Sequence, residues 1–497
     1  MKIKLHLTSF IIFLFACVLI STAQPGSLDL TFSEDGKQTT DMEGGNDECN
    51  SVAIQADGKI VIAGNNTNGM AIARYNANGS LDFTFSEDGR QTTAVSPDYN
   101  VGKSLAVQED GKILLVGSSF SSLFYHITIL RYNIDGSLDS NFDDDGIQIN
   151  IIGVSSKGHS VVLQPDGKIL LAGQISNENE DDFVLCRYNN DGSLDNTFSE
   201  DGIQTTDFGN FDRGYSVALQ TDGKIVVAGT LGILEDHDMG IARYNSDGSL
   251  DITFGDFGRQ IIDIALGDDY ANSVAIQANG KIVVAGTNDS NFALVRLNSD
   301  GSFDNNFSLD GIQTTNLQVD YSDCKSVAIQ TNGKIVVAGR IDADFAVLRY
   351  LSDGSLDDTF DGDGVQSINF GDYSFGNSVA LQLDGKIVVA GKSATAQVFN
   401  FAIARLNGDF TSGIEENNED DHLSISPNPS NGIFKITNLE SEIINLEIFN
   451  VLGEKVYATQ NFQSKSLQID MSAQPDGIYF IRLISEKGII TKKIIKG

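Results

Sequence analysis

The ten-residue stretch QADGKIVIAG at residues 55–64 occurs seven times in this chain with small changes. The other copies occupy residues 108–117, 164–173, 220–229, 277–286, 330–339 and 382–391, at intervals of 52 to 57 residues. A catalytic motif is needed once. Repetition at a regular spacing of this length therefore predicts an architecture of stacked structural units.

Each repeat contains four short runs that are typical of β-strands. In the fourth repeat they are SVALQ (216–220), KIVVAG (224–229) and MGIARY (239–244), with IQTTD (203–207) at the preceding junction. The runs are rich in Val and Ile, and no segment shows helical periodicity. Four strands in a unit of this length match a propeller blade. We therefore predict an all-β chain whose main domain is a seven-bladed β-propeller of four-stranded blades.

An Asp-Gly or Asn-Gly pair separates the first and second strands of every repeat. Such pairs occupy positive-φ positions and favour a tight hairpin. The residues before the glycine are Asp57, Asp110, Asp166, Asp222, Asn279, Asn332 and Asp384. We interpret the lysine after each glycine as a solvated strand-entry residue that can pair with a neighbouring carboxylate.

The two ends of the repeat region indicate a closed ring. Six repeats are followed by a DGSLDxxFxxDGxQ segment that leads into a fourth strand, but this segment is missing after Leu406. It stands instead at residues 25–42, as PGSLDLTFSEDGKQTTDM. A last blade that takes its outer strand from the N-terminus explains both facts and leaves no free sheet edge. An open β-solenoid is the alternative, and it has no use for the displaced segment.

The combination of GSLDxxFxxDG, SVAIQxDGKIVVAG and FAIARYNxDG resembles the delta-60 repeat of bacterial exported proteins. The resemblance covers roughly residues 25–410. It implies a propeller-like domain, here at residues 24–410, and supplies no activity.

The N-terminus has the pattern of a secretory signal peptide. Two lysines precede the apolar run at residues 10–20, and small residues follow up to Ala23. The run is too short to span a bilayer but suits a signal peptide at residues 1–23, and we predict no transmembrane segment in the mature chain. A lipoprotein is the alternative because LFAC ends at Cys17, although the apolar run continues past that cysteine.

The charge and cysteine content exclude several classes of protein. The formal net charge is −35, which argues against a nucleic-acid partner because phosphates need a basic surface. Cys49, Cys186 and Cys324 remain after removal of the signal peptide. An odd number of cysteines at these positions predicts neither a disulfide framework nor a cysteine-based metal site.

Two charged residues recur once per repeat, an arginine at the end of the third strand and the aspartate of GSLD. They could form a charged ring around the channel, but we favour a structural Arg–Asp pair. The arginines are Arg74, Arg131, Arg187, Arg243, Arg296, Arg349 and Arg405, and the aspartates are Asp29, Asp82, Asp139, Asp195, Asp251, Asp304 and Asp357.

Two aspartate-rich loops resemble fragments of a calcium loop, DDDG at residues 143–146 and DGDG at 361–364. Calcium needs six to eight oxygen ligands, and turns capped by aspartate explain these loops equally well. We therefore predict no cofactor and no metal, with calcium as the alternative. The chain also contains no recognisable catalytic or phosphate-binding motif.

The C-terminal part has a different composition. Residues 411–422 form an acidic linker, and residues 423–497 alternate as the strands of a small β-sandwich. This module resembles the type A sorting domain of the type IX secretion system of Bacteroidetes, with one extra residue, Gly497, at its end. The residues that carry the resemblance are Pro427, Asn428, Pro429, Gly432, Gly453, Gly477, Tyr479, Lys492, Lys493 and Lys496. The resemblance implies Sec export, the type IX machinery as partner, and release or attachment at the cell surface.

Three functions remain open from the sequence. We favour a non-enzymatic binding or adhesion module with an unknown glycan or protein ligand; a structural display protein and a polysaccharide-active enzyme are the alternatives. Two of the four connections in each repeat vary, and both lie on one face of a propeller blade. Candidate ligand-binding residues in these loops are Tyr99, Tyr125, His126, Asp236, His237, Asp238, Tyr270, Tyr321 and Tyr373.

The sorting assignment can be tested by deletion of residues 423–497. We expect the shortened protein to accumulate, folded, in the periplasm, because the module carries the export signal while the propeller has its own core. Fractionation of cells and medium followed by immunoblotting measures this. Normal amounts of the shortened protein at the surface or in the medium would contradict the assignment.

Overall fold

A computed structural model describes most of the repeat region and parts of the C-terminal module. The described residues are 23–43, 45–177, 180–209, 211–233, 236–264, 267–409, 424–426, 430, 432–437, 443–450, 455–462, 466–475, 477–485 and 488–496. The signal peptide and the acidic linker lie outside them, apart from Ala23. The chain divides into two compact units, Met1–Asp409 and Phe410–Gly497. Among the described residues, no helix is long and apolar enough to cross a membrane.

The described residues of the first unit form 28 strands. They are β1 Lys37–Thr40, β2 Glu48–Ile54, β3 Ile60–Asn66, β4 Gly69–Tyr75, β5 Arg90–Thr93, β6 Tyr99–Val107, β7 Ile113–Ser121, β8 Phe124–Tyr132, β9 Ile147–Asn150, β10 Ser155–Leu163, β11 Ile169–Asn177, β12 Glu180–Tyr188, β13 Ile203–Thr206, β14 Phe211–Leu219, β15 Ile225–Ile233, β16 Asp236–Tyr244, β17 Arg259–Ile262, β18 Asp269–Ile276, β19 Ile282–Asn288, β20 Asn291–Leu297, β21 Ile312–Thr315, β22 Ser322–Ile329, β23 Ile335–Ile341, β24 Asp344–Tyr350, β25 Val365–Ile368, β26 Tyr373–Leu381, β27 Ile387–Thr395 and β28 Val398–Leu406.

These strands form seven antiparallel blades of four strands each, which confirms the predicted fold. Blades one to six are β2–β5, β6–β9, β10–β13, β14–β17, β18–β21 and β22–β25, and blade seven is β26–β28 with β1. A single parallel bridge between Asp181 and Phe211 also links blades three and four. The second and third strands are almost wholly buried because blades cover them on both sides.

The N-terminal strand closes the ring. β1 pairs with β28, from Lys37 opposite Ala404 to Thr40 opposite Phe401. Upstream of this strand, Asp29 accepts a hydrogen bond of 2.7 Å from Arg405 Nε. The segment missing after Leu406 is therefore supplied by the other end of the repeat region.

The first strand of each blade lies innermost, because first strands contact one another all the way round the ring. One serine in each first strand accepts a hydrogen bond from a backbone N–H in the first strand of the next blade, at 3.1–3.2 Å. These serines are Ser51, Ser104, Ser160, Ser216, Ser273, Ser326 and Ser378. The seven bonds form an unbroken circle of links between blades.

A β-bulge precedes each of these serines and leaves one residue of the first strand unpaired. The bulge depends on the glycine of KIVVAG in the second strand. A Cβ on Gly173, for example, would lie 1.9 Å from the carbonyl oxygen of Lys157. Only glycine allows the two backbones to approach so closely, which explains why every repeat retains it.

The recurring arginine and aspartate form a structural pair, as favoured from the sequence. Arginine Nε lies 2.6–2.8 Å from the aspartate in every repeat, and the guanidinium stacks on the phenylalanine of the same segment at 4.6–4.8 Å. The lysine that follows the hairpin glycine in each repeat lies 2.5–3.2 Å from the same carboxylate. Burial alone would raise the pKa of Asp82, but hydrogen bonds from Thr84 and Lys59 and the charge of Arg74 lower it to about 2.

The hairpin between the first two strands corrects one expectation. Only the glycine has positive φ, 83° at Gly58, whereas Asp57 does not. Gly58 N–H donates to the carbonyl of Gln55, and Gln55 N–H donates to that of Lys59. This is a three-residue hairpin loop in which only the glycine is in the left-handed region. The aspartate stabilises the loop through its side chain, because the Asp57 carboxylate accepts a hydrogen bond from the Lys59 N–H at 3.1 Å.

In the second unit, seven strands lie within the described residues. They are β29 Ser424–Ser426, β30 Ile433–Thr437, β31 Ile443–Asn450, β32 Lys455–Phe462, β33 Ser466–Asp470, β34 Gly477–Ser485 and β35 Gly488–Lys496. They form one sheet in the order β29-β30-β33 and another in the order β32-β31-β34-β35. A core that includes Phe434, Ile448 and Ile481 joins them as a small sandwich.

Deletion of residues 25–42 tests ring closure. We expect a much larger loss of thermal stability than a frayed terminus would cause, because blade seven loses a strand and the Arg405 guanidinium loses its carboxylate. Differential scanning calorimetry of the two proteins measures this. An unchanged melting temperature would contradict closure by β1.

The Arg–Asp–Lys cluster can be tested at Asp251, whose carboxylate meets both Arg243 and Lys224. Asp251→Ala is expected to lower the free energy of unfolding by roughly 3–5 kcal/mol, because it leaves a buried arginine unpaired. Urea unfolding measures the change. Asp247→Ala, in the exposed turn of the same loop, is the control and should cost less than about 1 kcal/mol. Equal losses would show that the pair does not stabilise the blade.

Candidate ligand-binding site on the variable-loop face

The bulge residue of each innermost strand differs between blades. The residue there is Asn50, Lys103, His159, Tyr215, Asn272, Lys325 and Asn377 in blades one to seven. The asparagines of blades one, five and seven donate to a backbone carbonyl of the next blade at 2.7–2.8 Å. In three blades the position therefore has a structural role.

Blades two to four depart from this pattern and share a cavity of about 320 Å³. It opens on the face formed by the variable loops, since Tyr99 begins a first strand and Tyr125 follows a variable hairpin. The lining residues are Tyr99, Val101, Lys103, Ser118, Tyr125, Lys157, His159, Gln174, Arg213 and Tyr215. Three cations and a histidine thus meet in one cavity of a strongly acidic chain.

Burial of His159 favours the neutral form of its imidazole. Gln174 Nε2 donates to Asp181 at 2.9 Å, and this bond orients the amide so that its oxygen lies 3.1 Å from His159 Nε2. His159 Nε2 therefore donates the proton, and Nδ1 is the nitrogen that can accept one. Burial is the main cause that lowers the pKa of His159 to about 4, and the charges of Lys103, Lys157 and Arg213 lower it further. His159 also contacts the Tyr215 ring edge-on at 5.1 Å.

The cations of the cavity are only partly compensated. Burial and, among other charges, that of the nearby Lys157 lower the pKa of Lys103, although Glu48 opposes the shift. Burial and the Arg213 charge likewise lower the pKa of Lys157. Lys157 Nζ lies 4.2 Å from the centre of the Tyr125 ring, and Arg213 Nε lies 3.1 Å from Asp181. The site therefore holds an excess of positive charge that an anion would relieve.

Only two of the candidate residues from the sequence, Tyr99 and Tyr125, line this cavity. His126 is buried in β8, and its Nδ1 has no partner among the described residues. Tyr373 is 57% exposed at the start of β26. Tyr321 lies under Arg340, whose guanidinium is 3.9 Å from its ring centre.

The remaining candidates lie near the seam between blades four and five. His237 stacks on Tyr270 at 5.1 Å, and its Nδ1 lies 2.8 Å from Asp268. Asp238 belongs to a carboxylate group with Asp263 and Asp269. The side chain of Asp236 lies outside the described residues. The nine candidates thus come from blades two, four, five, six and seven and do not meet in one cavity.

The sequence analysis missed the residues that concentrate charge in the cavity. Lys103, His159 and Tyr215 immediately precede the repeated serine, and Lys157 and Arg213 stand two residues earlier. Comparing the residue before each serine would have found part of the signal, because asparagine is replaced there in three consecutive blades, two to four, and otherwise only in blade six. That comparison needs the knowledge that this strand is innermost.

Other features support placing the site here. A larger hollow of about 770 Å³ lies on the opposite face, but it is lined by residues of the repeated hairpins, such as Gln277, Asn279 and Gln330.

The DDDG loop is a turn, in which Asp143 and Asp144 have positive φ like the corresponding Ser-Glu pairs of other repeats. The aspartate-rich loops therefore have a structural explanation.

In the sorting module, the structure describes part of the predicted signal. Gly477 and Tyr479 lie in β34, and the Tyr479 hydroxyl donates to the carbonyl of Pro475 at 2.7 Å. Gly432 has φ of 113° and is packed against Ser472, so it cannot be replaced without strain. Lys496 is buried at the end of β35; Lys492 and Lys493 lie in that strand, but their side chains are outside the described residues. Pro427, Asn428, Pro429 and Gly453 also lie outside them.

Comparison with family models gives two matches. Residues 424–497 match the secretion system C-terminal sorting domain. The domain of unknown function DUF5122, a β-propeller, matches at residues 55–85, 108–142, 164–198, 220–254, 277–307, 330–360 and 382–409. No curated protein matches the chain.

Solved structures show likeness at low identity. Virginiamycin B lyase from Staphylococcus aureus matches with 11% identity and a TM-score of 0.44, over 74% of this chain and 98% of its own. An ulvan lyase, described as a new family of polysaccharide lyase, matches with 14% identity and a TM-score of 0.41, over 75% and 96%. A protein from Lactobacillus plantarum matches with 16% identity and a TM-score of 0.42, over 65% and 88%. No activity follows from these values. The repeat region at residues 55–409 is therefore a β-propeller built from DUF5122 repeats, and the C-terminal sorting domain directs the chain through the type IX secretion system to the outer cell surface or the medium.

Proposed function

We propose that the propeller is a non-enzymatic binding module that holds the acidic groups of an extracellular polysaccharide in the cavity between blades two and four. The observation that carries the proposal is the meeting of Lys103, Lys157 and Arg213 in one cavity of a chain with a net charge of −35. Uncompensated positive charge is costly to a partly desolvated site. A carboxylate or sulfate group removes that cost on binding.

The rim of the cavity favours a sugar over a compact inorganic anion. Tyr99 is 48% exposed, and the Tyr125 ring is fixed between Phe120 at 4.9 Å and Lys157 at 4.2 Å. Exposed tyrosines present an apolar face and a polar hydroxyl, which suits stacking against a sugar ring. A volume of about 320 Å³ admits one or two sugar residues of a chain that continues along the open face.

An enzyme that removes a proton next to a carboxylate is the second candidate. His159 favours it, because the bond from its Nε2 to Gln174 leaves Nδ1 free to accept a proton and the cations would stabilise the developing negative charge. A structural display protein needs none of these features. The binding module and the enzyme differ in one measurement, because only an enzyme cleaves or alters the bound polysaccharide.

Binding can be tested by calorimetric titration of the purified protein with a uronate-rich and a sulfated polysaccharide, and with neutral polysaccharides. We expect the acidic chains to bind and the neutral ones not to. Lys157→Ala and Arg213→Ala should each weaken binding by roughly tenfold or more, because each removes a charged hydrogen bond. Tyr125→Ala should also weaken it, and added salt should do so for every acidic chain.

Two control variants keep the test specific. Lys325→Ala changes a lysine at the same bulge position in blade six, where Asp323 lies 3.4 Å away, and Asp57→Ala changes a hairpin on the opposite face. Both should bind normally. The proposed site would be contradicted if the control variants weakened binding as much as Lys157→Ala and Arg213→Ala, or if neutral polysaccharides bound as tightly as acidic ones. Binding of proteins but of no polysaccharide would contradict the proposed class of ligand. Shortening of the acidic chain during incubation, abolished by His159→Ala, would instead establish the enzyme.

A further inference from the structure

Three aspartates meet at the seam where the third and fourth strands of blade three face the first strand of blade four. Asp182 lies in β12, Asp207 directly follows β13, and Asp212 lies in β14. Each carboxylate places one oxygen within 4.8 Å of the other two. Three negative charges at this distance repel one another strongly unless a cation or protons intervene.

The central carboxylate of this group has an unused oxygen. Asp212 is fully buried; one of its oxygens accepts the Phe208 N–H at 2.6 Å, and the other, Oδ1, is buried without a hydrogen-bond partner. Asp182 Oδ1 is also buried without a partner. Buried carboxylate oxygens normally accept hydrogen bonds or bind metal ions. Burial is the main cause that raises the pKa of Asp212 to about 7, and Asp207 and Asp182 add to the shift.

Another seam of the same ring shows how the chain satisfies a single carboxylate. Between blades six and seven the corresponding residues are Asp344, Asn369 and Ser374. Asn369 donates to Asp344 at 2.7 Å, and Ser374 donates to the carbonyl of Ala343 at 3.0 Å. That seam therefore combines one carboxylate with neutral donors and needs no cation.

The seam between blades four and five provides a closer comparison. It also has three aspartates, Asp238, Asp263 and Asp269. There, however, Asn288 lies opposite Asp269 and donates to its Oδ1 at 2.8 Å. The residue opposite Asp212 is Leu231, which has no donor. The buried oxygen of Asp212 thus lacks the amide that the neighbouring seam supplies.

We propose that Asp182, Asp207 and Asp212 bind a calcium ion at the seam between blades three and four. Calcium takes six to eight oxygen ligands at about 2.3–2.6 Å, so carboxylate oxygens up to about 4.8 Å apart can contact one ion from opposite sides. The ion supplies the positive charge that the three carboxylates lack, and water and backbone carbonyls complete its ligands. It lies close to the proposed polysaccharide site, because Arg213 follows Asp212 in the same strand, but the inference does not depend on that function.

Radiocalcium equilibrium dialysis of the purified full chain tests the site. At about 1 mM Ca²⁺, the range in which extracellular modules bind the ion, we expect at least one bound equivalent and a higher melting temperature than in chelator. Asp207→Asn combined with Asp212→Ser reproduces the composition of the seam between blades six and seven, so the variant should fold. It should lose one equivalent of calcium and the associated rise in melting temperature.

Two further variants make the result decisive. Asp263→Asn combined with Asp269→Ser changes the neighbouring seam in the same way and should leave the blade three–four equivalent in place. Leu231→Asn should weaken calcium binding, because it offers Asp212 the amide that Asn288 gives Asp269. The proposal is overturned if the wild-type chain binds no calcium, or if the Asp207/Asp212 variant binds as much as the wild type.

Discussion

The hydroxyl group of one serine fastens each blade to the next. The seven hydrogen bonds at 3.1–3.2 Å join neighbouring innermost strands, including those of blades seven and one. The β-bulge before each serine shifts the pairing of the first and second strands by one residue, and the glycine of the second strand allows the two backbones to approach closely at the bulge. The serine, the bulge and the glycine therefore recur together. Because the bulge residue itself is unpaired, its side chain is free to differ between blades.

The functional proposals follow from where the ring departs from its own symmetry. Asparagine at the bulge bonds to the next blade in three positions, whereas blades two to four carry Lys103, His159 and Tyr215 instead. The acidic seam between blades three and four departs in the same way, with Leu231 where the next blade has Asn288. Both departures leave a buried charge without a full set of partners.

The sequence predicted the fold well because the pattern of strands and turns in a blade occurs seven times in the chain. The blade count followed from spacing, and the displaced segment at residues 25–42 indicated closure. Strand lengths were less predictable: β14 begins at Phe211, five residues before the predicted run, because the pattern becomes variable there. The cavity was not predicted, since its charges come from three blades and their meeting depends on which strand is innermost. Tyr99 and Tyr125 were found because aromatic residues in variable loops are visible without that knowledge.

The central claim is that the bulge residues of blades two to four serve binding and not folding. Replacing all three with the asparagine of blades one, five and seven, as Lys103→Asn, His159→Asn and Tyr215→Asn together, gives six of the seven blades the same bulge residue. Thermal unfolding and titration with an acidic polysaccharide, measured on the same preparation, test the claim most directly. The account predicts a melting temperature equal to or above that of the wild type, with binding weakened roughly tenfold or more. Binding as tight as that of the wild type, or a marked loss of stability, would contradict it.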